Sequence, residues 1–305
     1  MKLRRGITRA LATVAMLLFI FAATRALIRA LPGDPIETLL AESGTSIPIT
    51  ELKSELGLDK PFFPSLLDDL QQAARGDWGK SLLSRQPIGP ILWERWIQTA
   101  ALALLSMMFG ISISLWLGLR SAMQPGGAWD RFCTFYGSLT AALPTPWIGP
   151  VLLLIFAVKI PVFPVSGSIW LPAFTLSLAF SGLWSRLIRS RLQETLGAPA
   201  TIAARARGLS ERRIVIKYGL APAAGALLAY LGTQFGALLG GAFVTEVLFG
   251  WRGMGSLLVE GVLKRDYPVV EAAVFATAAA SLLGNILGDR LQTWFDPRLR
   301  DGDGS

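Results

Sequence analysis

The chain has 305 residues, 52% of them hydrophobic and only 16% charged, with a formal net charge of +8. A soluble domain carries about 25% charged residues; here charge is scarce and clustered between apolar runs of the length that crosses a bilayer core, about 20 residues, which excludes an ordinary soluble fold. Histidine is absent and Cys133 is the single cysteine, which excludes imidazole-based catalysis, a disulfide and a cysteine-based zinc site.

The apolar runs are continuous rather than alternating, so they read as helices, one of the two structures that satisfy the backbone in lipid. The expected class is an all-α integral membrane protein. The positive charge reads as the excess of Lys and Arg in cytoplasmic loops. There is no RNP motif, zinc finger or basic amphipathic arm, so nucleic acid is not an expected partner; membrane lipid is.

The first span is expected at about residues 7–28, uncleaved, behind Lys2, Arg4, Arg5 and Arg9, which hold the N-terminus inside. A polar segment follows over 30–96 and reads as an extracytoplasmic group of short helices, including a helical pattern in "TELKSELGL" that Pro61 stops. The second span is expected at 97–119. The third, at 132–157, holds Pro144 and Pro146 and should kink. The fourth lies at 170–188, and a basic cytoplasmic stretch at 189–219 leads to the fifth at 221–245. A short re-entrant or interfacial helix pair then precedes the sixth span at 269–289, and residues 292–305 form a cytoplasmic tail. Six spans with both ends inside agree with the placement of basic residues. Trp93, Trp96, Trp170 and Trp294 suit anchoring at the membrane interface.

Two motifs tempt a nucleotide reading and fail. "GDWGKS" ends like a phosphate-binding loop, but the glycine required five residues before Gly79 is Ala74. "GWRGMG" at 250–255 is too short for a dinucleotide fingerprint and reads as a turn. The sequence shows no catalytic, cofactor-binding or metal-binding set.

The stretch "APATIAARARGLSERR" carries its own punctuation. Pro199 suits the first turn of a helix, alanines propagate it, Gly208 suits a left-handed C-terminal cap, and Ser210 can cap a following helix. A helix over 199–207 would be a rod about 13 Å long. Its small side chains let another surface approach closely, and Arg205 and Arg207 can pair with carboxylates on a partner. Two readings stay open on these residues alone: a peg for a soluble protein, or an interfacial helix on anionic lipid.

"AARARGLSERR" resembles the cytoplasmic loop of ABC importer permeases of the dipeptide, oligopeptide and nickel family. Its pattern is Glu-Ala-Ala, three residues, then Gly. Gly208 takes the glycine, Ala203 and Ala204 the alanines, and Ile202 stands where the glutamate would. "LPGDP" (31–35), "ELGLDKP" (55–61), "GDWGKSL" (76–82), "IPVFPVSG" (160–167), the region from "LLGGAFVTEVLFGWRGMG" to "YPVV", and "FDPRLR" are similar to the family's text in order. Trp251-Arg252-Gly253 stands in place of its Trp-Pro-Gly.

The resemblance implies a non-catalytic permease subunit in the bacterial inner membrane. It would form half of a pathway with a second, similar permease chain, two ATP-binding subunits and an external solute-binding protein. The carried solute would be a peptide or a related small solute such as chelated nickel. Ala203, Ala204, Arg205, Ala206, Arg207, Gly208 and Leu209 would couple to an ATPase. Gln234 is a candidate for the solute path, with Glu246, Glu271, Asn285 and Asp289 as further polar groups in or near the last spans. A carrier or channel without ATPases is the alternative, and a membrane-embedded enzyme is disfavoured because no dyad is evident.

Overall fold

A computed structural model describes residues 2–30 and 61–295. The motifs at 31–35, most of 55–61 and nearly all of 295–300 lie outside the described residues, as does the side chain of Trp294. Among the described residues the protein is helical, with one isolated β-bridge, Lys80 to Pro87.

The helices are α1 (Lys2–Ala30), α2 (Phe62–Ala74), α3 (Ile88–Met123), α4 (Ala128–Ala142), α5 (Thr145–Leu153), α6 (Trp170–Leu196), α7 (Pro199–Ala206), α8 (Glu211–Ile214), α9 (Ala221–Gly241), α10 (Phe243–Leu248), α11 (Met254–Leu263) and α12 (Tyr267–Phe295). Single π-helical turns, Leu154–Lys159 and Val215–Leu220, extend α5 and join α8 to α9.

Among the described residues four helical stretches are long and apolar enough to span: Leu11–Ala30, Ile88–Met123, Trp170–Leu196 and Tyr267–Gly288. Two bent pairs raise the number to six if each is one span. The pair Ala128–Ala142 and Pro146–Lys159 bends by 106°. The cause is local: Pro144 has extended backbone (φ −60°, ψ 135°) and Thr145 starts a new helix behind it. The expected kink is therefore a sharp break. The pair Glu211–Gly225 and Tyr230–Gly240 bends by 54°.

The chain divides into two compact units. One is built from the described residues of Met1–Thr99 and Arg252–Leu282. Its core gathers Ile88 and Leu92 of α3, Met254 and Leu257 of α11, and Val269, Ala272 and Ala273 of α12. Pro61, expected to stop a helix, stands at the N-cap position of α2. The "GDWGKSL" turn is held by Gly76 and Gly79 at positive φ. Ser81 Oγ donates to Asp266 at 2.5 Å, so this serine fastens a turn rather than a phosphate site. Arg25 of α1 sits 9% exposed. It donates to Glu271 (3.2 Å) and Ser65 (2.7 Å) and pairs with Asp69. A cavity of about 340 Å³ borders this cluster, lined by Phe21, Arg25, Asp69, Trp78, Lys80 and Glu271 among others. Burial pushes the Asp69 carboxyl above its ordinary value, with Arg25 pulling the other way.

The other unit comprises the described residues of Ala100–Trp251 and Leu283–Ser305. Here α4 lies against α6 without room for added carbon. A Cβ on Gly137 would fall 2.1 Å from Arg186 Cδ, and one on Gly182 would fall 2.1 Å from Thr140 Oγ1. Small residues let helix backbones approach in lipid, where dispersion replaces the hydrophobic drive. Polar side chains close the seam: Tyr136 donates to the Leu178 carbonyl (2.9 Å) and lies 2.7 Å from Ser181 Oγ, while Ser114 donates to the Ser181 carbonyl (3.0 Å). Ala122, Ile188, Leu192, Ala223 and Leu227 form a core cluster that joins α3, α6 and α9.

Candidate functional site

The α7 segment is the best-defined short element of the basic stretch. Pro199 occupies its first turn, and Ala198 precedes it in extended conformation. At the other end Gly208 has φ +77°. Its N–H bonds the Arg205 carbonyl (3.0 Å), and the Leu209 N–H bonds the Ala204 carbonyl (3.4 Å). These are the two bonds of a Schellman cap, which satisfy carbonyls that a helix end otherwise leaves open. Ser210 stands at the N-cap position of α8, but its side chain makes no capping bond; the expectation for this hydroxyl is corrected.

Side-chain bonds mount α7 on its neighbours. Thr201 Oγ1 donates to the Thr195 carbonyl at the end of α6 (2.7 Å). Thr195 Oγ1 donates to the Gly219 carbonyl on the helical run that follows (3.1 Å). Thr195 at the end of α6 thus bonds both α7 and the run that follows it, and α7 itself is fastened to α6.

The seven predicted residues divide by face. Ala204 is fully buried and Thr201 is 1% exposed, both packed within the chain. Ala203, Ala206, Arg207 and Gly208 are exposed, Ile202 is 57% exposed, and Leu209 is half-buried. Adjacent helical residues point about 100° apart, and here that rotation turns Ala204 into the chain while Ala203 faces out. Arg205 is exposed and paired inside the chain: its Nε and Nη2 reach the two carboxylate oxygens of Glu211 at 2.7 and 3.2 Å. That hydrogen bond holds the Arg205 guanidinium above its ordinary pKa. Arg207 Nε bonds the Ala203 carbonyl at 3.3 Å. The sequence leaves both arginines open to a partner's carboxylates or to anionic lipid and shows no sign of pairing with Glu211, six residues beyond Arg205.

Of the intramembrane candidates, Gln234 is half-buried on α9 and Asn285 is exposed on α12. Glu246 is fully buried on α10. Glu271 pairs with Arg25. The side chain of Asp289 lies outside the described residues. Sequence reasoning also missed Asp130, buried in the first turn of α4 and bound to Ser121, Gly126 and Arg189. Its partner Arg189 opens the basic stretch at 189–219, and no local pattern marks a pair 59 residues apart. Among the described residues no group of acidic or sulfur ligands could hold a metal ion.

Several apolar helices, with a short capped rod between two of them, define a polytopic membrane protein. The chain belongs to the binding-protein-dependent transport system inner membrane component family, whose pattern residues 110–301 match. It is 31% identical over 300 residues to the glutathione transport system permease protein GsiC of Salmonella typhimurium strain LT2, covering 97% of this chain and 96% of that one. The same permease of Escherichia coli strain K12 is 30% identical over the same length. Two solved structures share the fold at 19% identity and 68% coverage of this chain. One is the MetNI methionine ABC transporter in inward-facing form, with a TM-score of 0.58. The other is an amino acid ABC transporter with histidines, at 0.53.

The chain is thus a multi-pass inner-membrane permease subunit of an ATP-driven importer, itself non-catalytic. It works with ATPase and solute-binding-protein partners. The reading as a carrier or channel without ATPases is set aside.

Proposed function

We propose that α7 is the coupling helix of this permease. The observation that carries this reading is the pairing of rigidity with presentation. An eight-residue helix, proline-started and Schellman-capped, is bonded to α6 through Thr201 and to α8 through the Arg205–Glu211 pair. It turns Ile202, Ala203, Ala206 and Arg207 outward. A stiff, small-residue surface transmits displacement with little loss in side-chain motion. Ile202, where the family pattern has glutamate, offers the ATPase an apolar contact in place of a carboxylate.

In this reading the N-terminus, α7 and residues 292–305 are cytoplasmic, and the segment 30–96 is extracytoplasmic. A second, homologous permease completes the pathway as a heterodimer, with two ATP-binding subunits below and the solute-binding protein outside. Closure of the ATPases moves α7 and rocks the spans between inward-open and outward-open states. Gln234 lies two residues from each of Gly232 and Gly236 on α9, hence turned away from their seam, and contributes to the solute path.

The solute is a small peptide or peptide-like molecule. The relatives named for glutathione support this class above chelated nickel, and a chain without histidine and with one buried cysteine offers a soft bare metal little. Uptake into proteoliposomes of the assembled transporter with its binding protein, comparing glutathione, dipeptides and a nickel chelate, tests it. Peptide-dependent uptake is expected; uptake of the nickel chelate alone contradicts it.

A further inference from the structure

Asp130 is a carboxylate almost wholly buried, 7% exposed, in the first turn of α4. Four donors meet it: Ser121 Oγ from the last turn of α3 (2.6 Å), Gly126 N–H from the linking turn (2.8 Å), and the Nε and Nη2 of Arg189, the latter at 3.1 Å. Two parallel N–H bonds from one guanidinium fix direction as well as distance. Arg189 lies on α6, ten residues before Pro199.

A buried ion pair is weak as a source of stability, because desolvation cancels much of its attraction; its best-attested use is to hold register. Register is what this location calls for. Beyond the pair, α4 and α6 interlock at Gly137 against Arg186 and at Thr140 against Gly182, so the two surfaces cannot slide without collision. Asp130–Arg189 holds one end of this seam against rotation. The far end of α4 runs to Pro144, where the third span breaks by 106°. The near end of α6, just past Arg189, carries α7 through the Thr201–Thr195 bond.

We propose that Asp130 and Arg189 are positioning residues that make α4 and α6 move as one body, so that displacement of α7 reaches the break in the third span. This rests on the reading of α7 as the coupling helix. The pair touches neither nucleotide nor solute; it sets how much of the stroke arrives.

The test uses the complete transporter in proteoliposomes, measuring copurified ATPase, hydrolysis rate, and solute taken up per ATP. Asp130→Asn and Arg189→Gln are expected to retain the ATPases and hydrolysis while uptake per ATP falls about tenfold or more, the size of a typical coupling between sites. Arg189→Lys, which keeps the charge and loses the fork, falls between. In an Asp130→Asn, Cys133→Ser background, Thr140→Cys with Gly182→Cys permits a disulfide across the seam. A Cβ on Gly182 would sit 3.0 Å from Thr140 Cβ, shorter than the usual disulfide span of about 3.5–4.5 Å, so the bridge forms with the helices eased apart by about 0.5 Å. Its oxidation is expected to restore much of the lost uptake per ATP, and reduction to remove it again. The proposal is overturned by unchanged uptake per ATP in Asp130→Asn, by loss of the ATPases from that variant, or by no gain on oxidation. Loss of the ATPases there leaves the α7 reading standing, since that reading is tested by cross-linking at Ala203 in the otherwise native chain.

Discussion

Gly232 of α9 and Gly288 of α12 meet backbone against backbone: a Cβ on Gly232 would lie 2.2 Å from the Gly288 Cα. One turn away, a Cβ on Gly284 would lie 2.7 Å from the Gly236 Cα. Both helices thus carry glycines four apart on their facing sides, the spacing that permits close crossing in lipid.

Gly232→Leu should therefore force the helices apart. Overpacking of this kind costs about 1–3 kcal/mol, so the purified permease should denature earlier in detergent and accumulate less in membranes. Leu287→Ala, at a position 57% exposed, should change neither. Equal behaviour of the two variants would contradict the crossing.

The division of the α7 alanines separates folding from docking. Ala204→Leu overfills a buried site and should destabilise the isolated permease by about 1–3 kcal/mol. Ala203→Leu should leave the isolated chain as stable as the parent and lower copurification of the ATPase. Thermal unfolding and pull-down of the same two proteins read both effects.

Gly208 is required by its φ of +77°, not by crowding, since nothing lies within 4 Å of an added Cβ. A non-glycine residue there pays the left-handed backbone cost of about 1–2 kcal/mol. Asparagine visits this region more readily than other side chains. Gly208→Asn should thus keep more transport than Gly208→Val, and Gly208→Glu should lose ATPase association while still inserting in the membrane.

Much of this architecture was legible because hydropathy and backbone chemistry are local. The apolar runs marked the long helices, Pro144 marked the break, and Pro199 with Gly208 marked both ends of α7. The helix ends were less legible: α3 begins at Ile88, ahead of the expected residue 97, since its first turns pack in a core rather than in lipid. What stayed hidden depends on pairing across sequence. Arg25 with Glu271, Asp130 with Arg189 and Gly232 with Gly288 are each ordinary in their own segment and acquire meaning only from a partner. Arg205 has no acid within its own helix, so its partner is invisible until the Gly208 turn brings Glu211 back to it.

Arg25 holds two carboxylates at once in its buried cluster. Arg25→Gln removes the cation bonded to both Asp69 and Glu271 and leaves Arg29 as the nearby cation. Since Asp69 is partly exposed, the cost is expected below that of a fully buried broken pair, about 3–5 kcal/mol. Glu271→Gln keeps Asp69 as the counter-charge and should cost clearly less. Chemical denaturation of the purified permease orders the two variants, and the reverse order would refute the cluster's assigned geometry.

The coupling role of α7 is tested most directly by one cross-link. Cys133 is buried and single, so Cys133→Ser with Ala203→Cys leaves one thiol, on the exposed face of α7. With cysteines placed along the groove of the partner ATPase, oxidation of the assembled transporter is expected to join the two chains and to stop uptake until reduced. Absence of any cross-link, or labelling of that thiol by an impermeant reagent applied only outside intact cells, would contradict it.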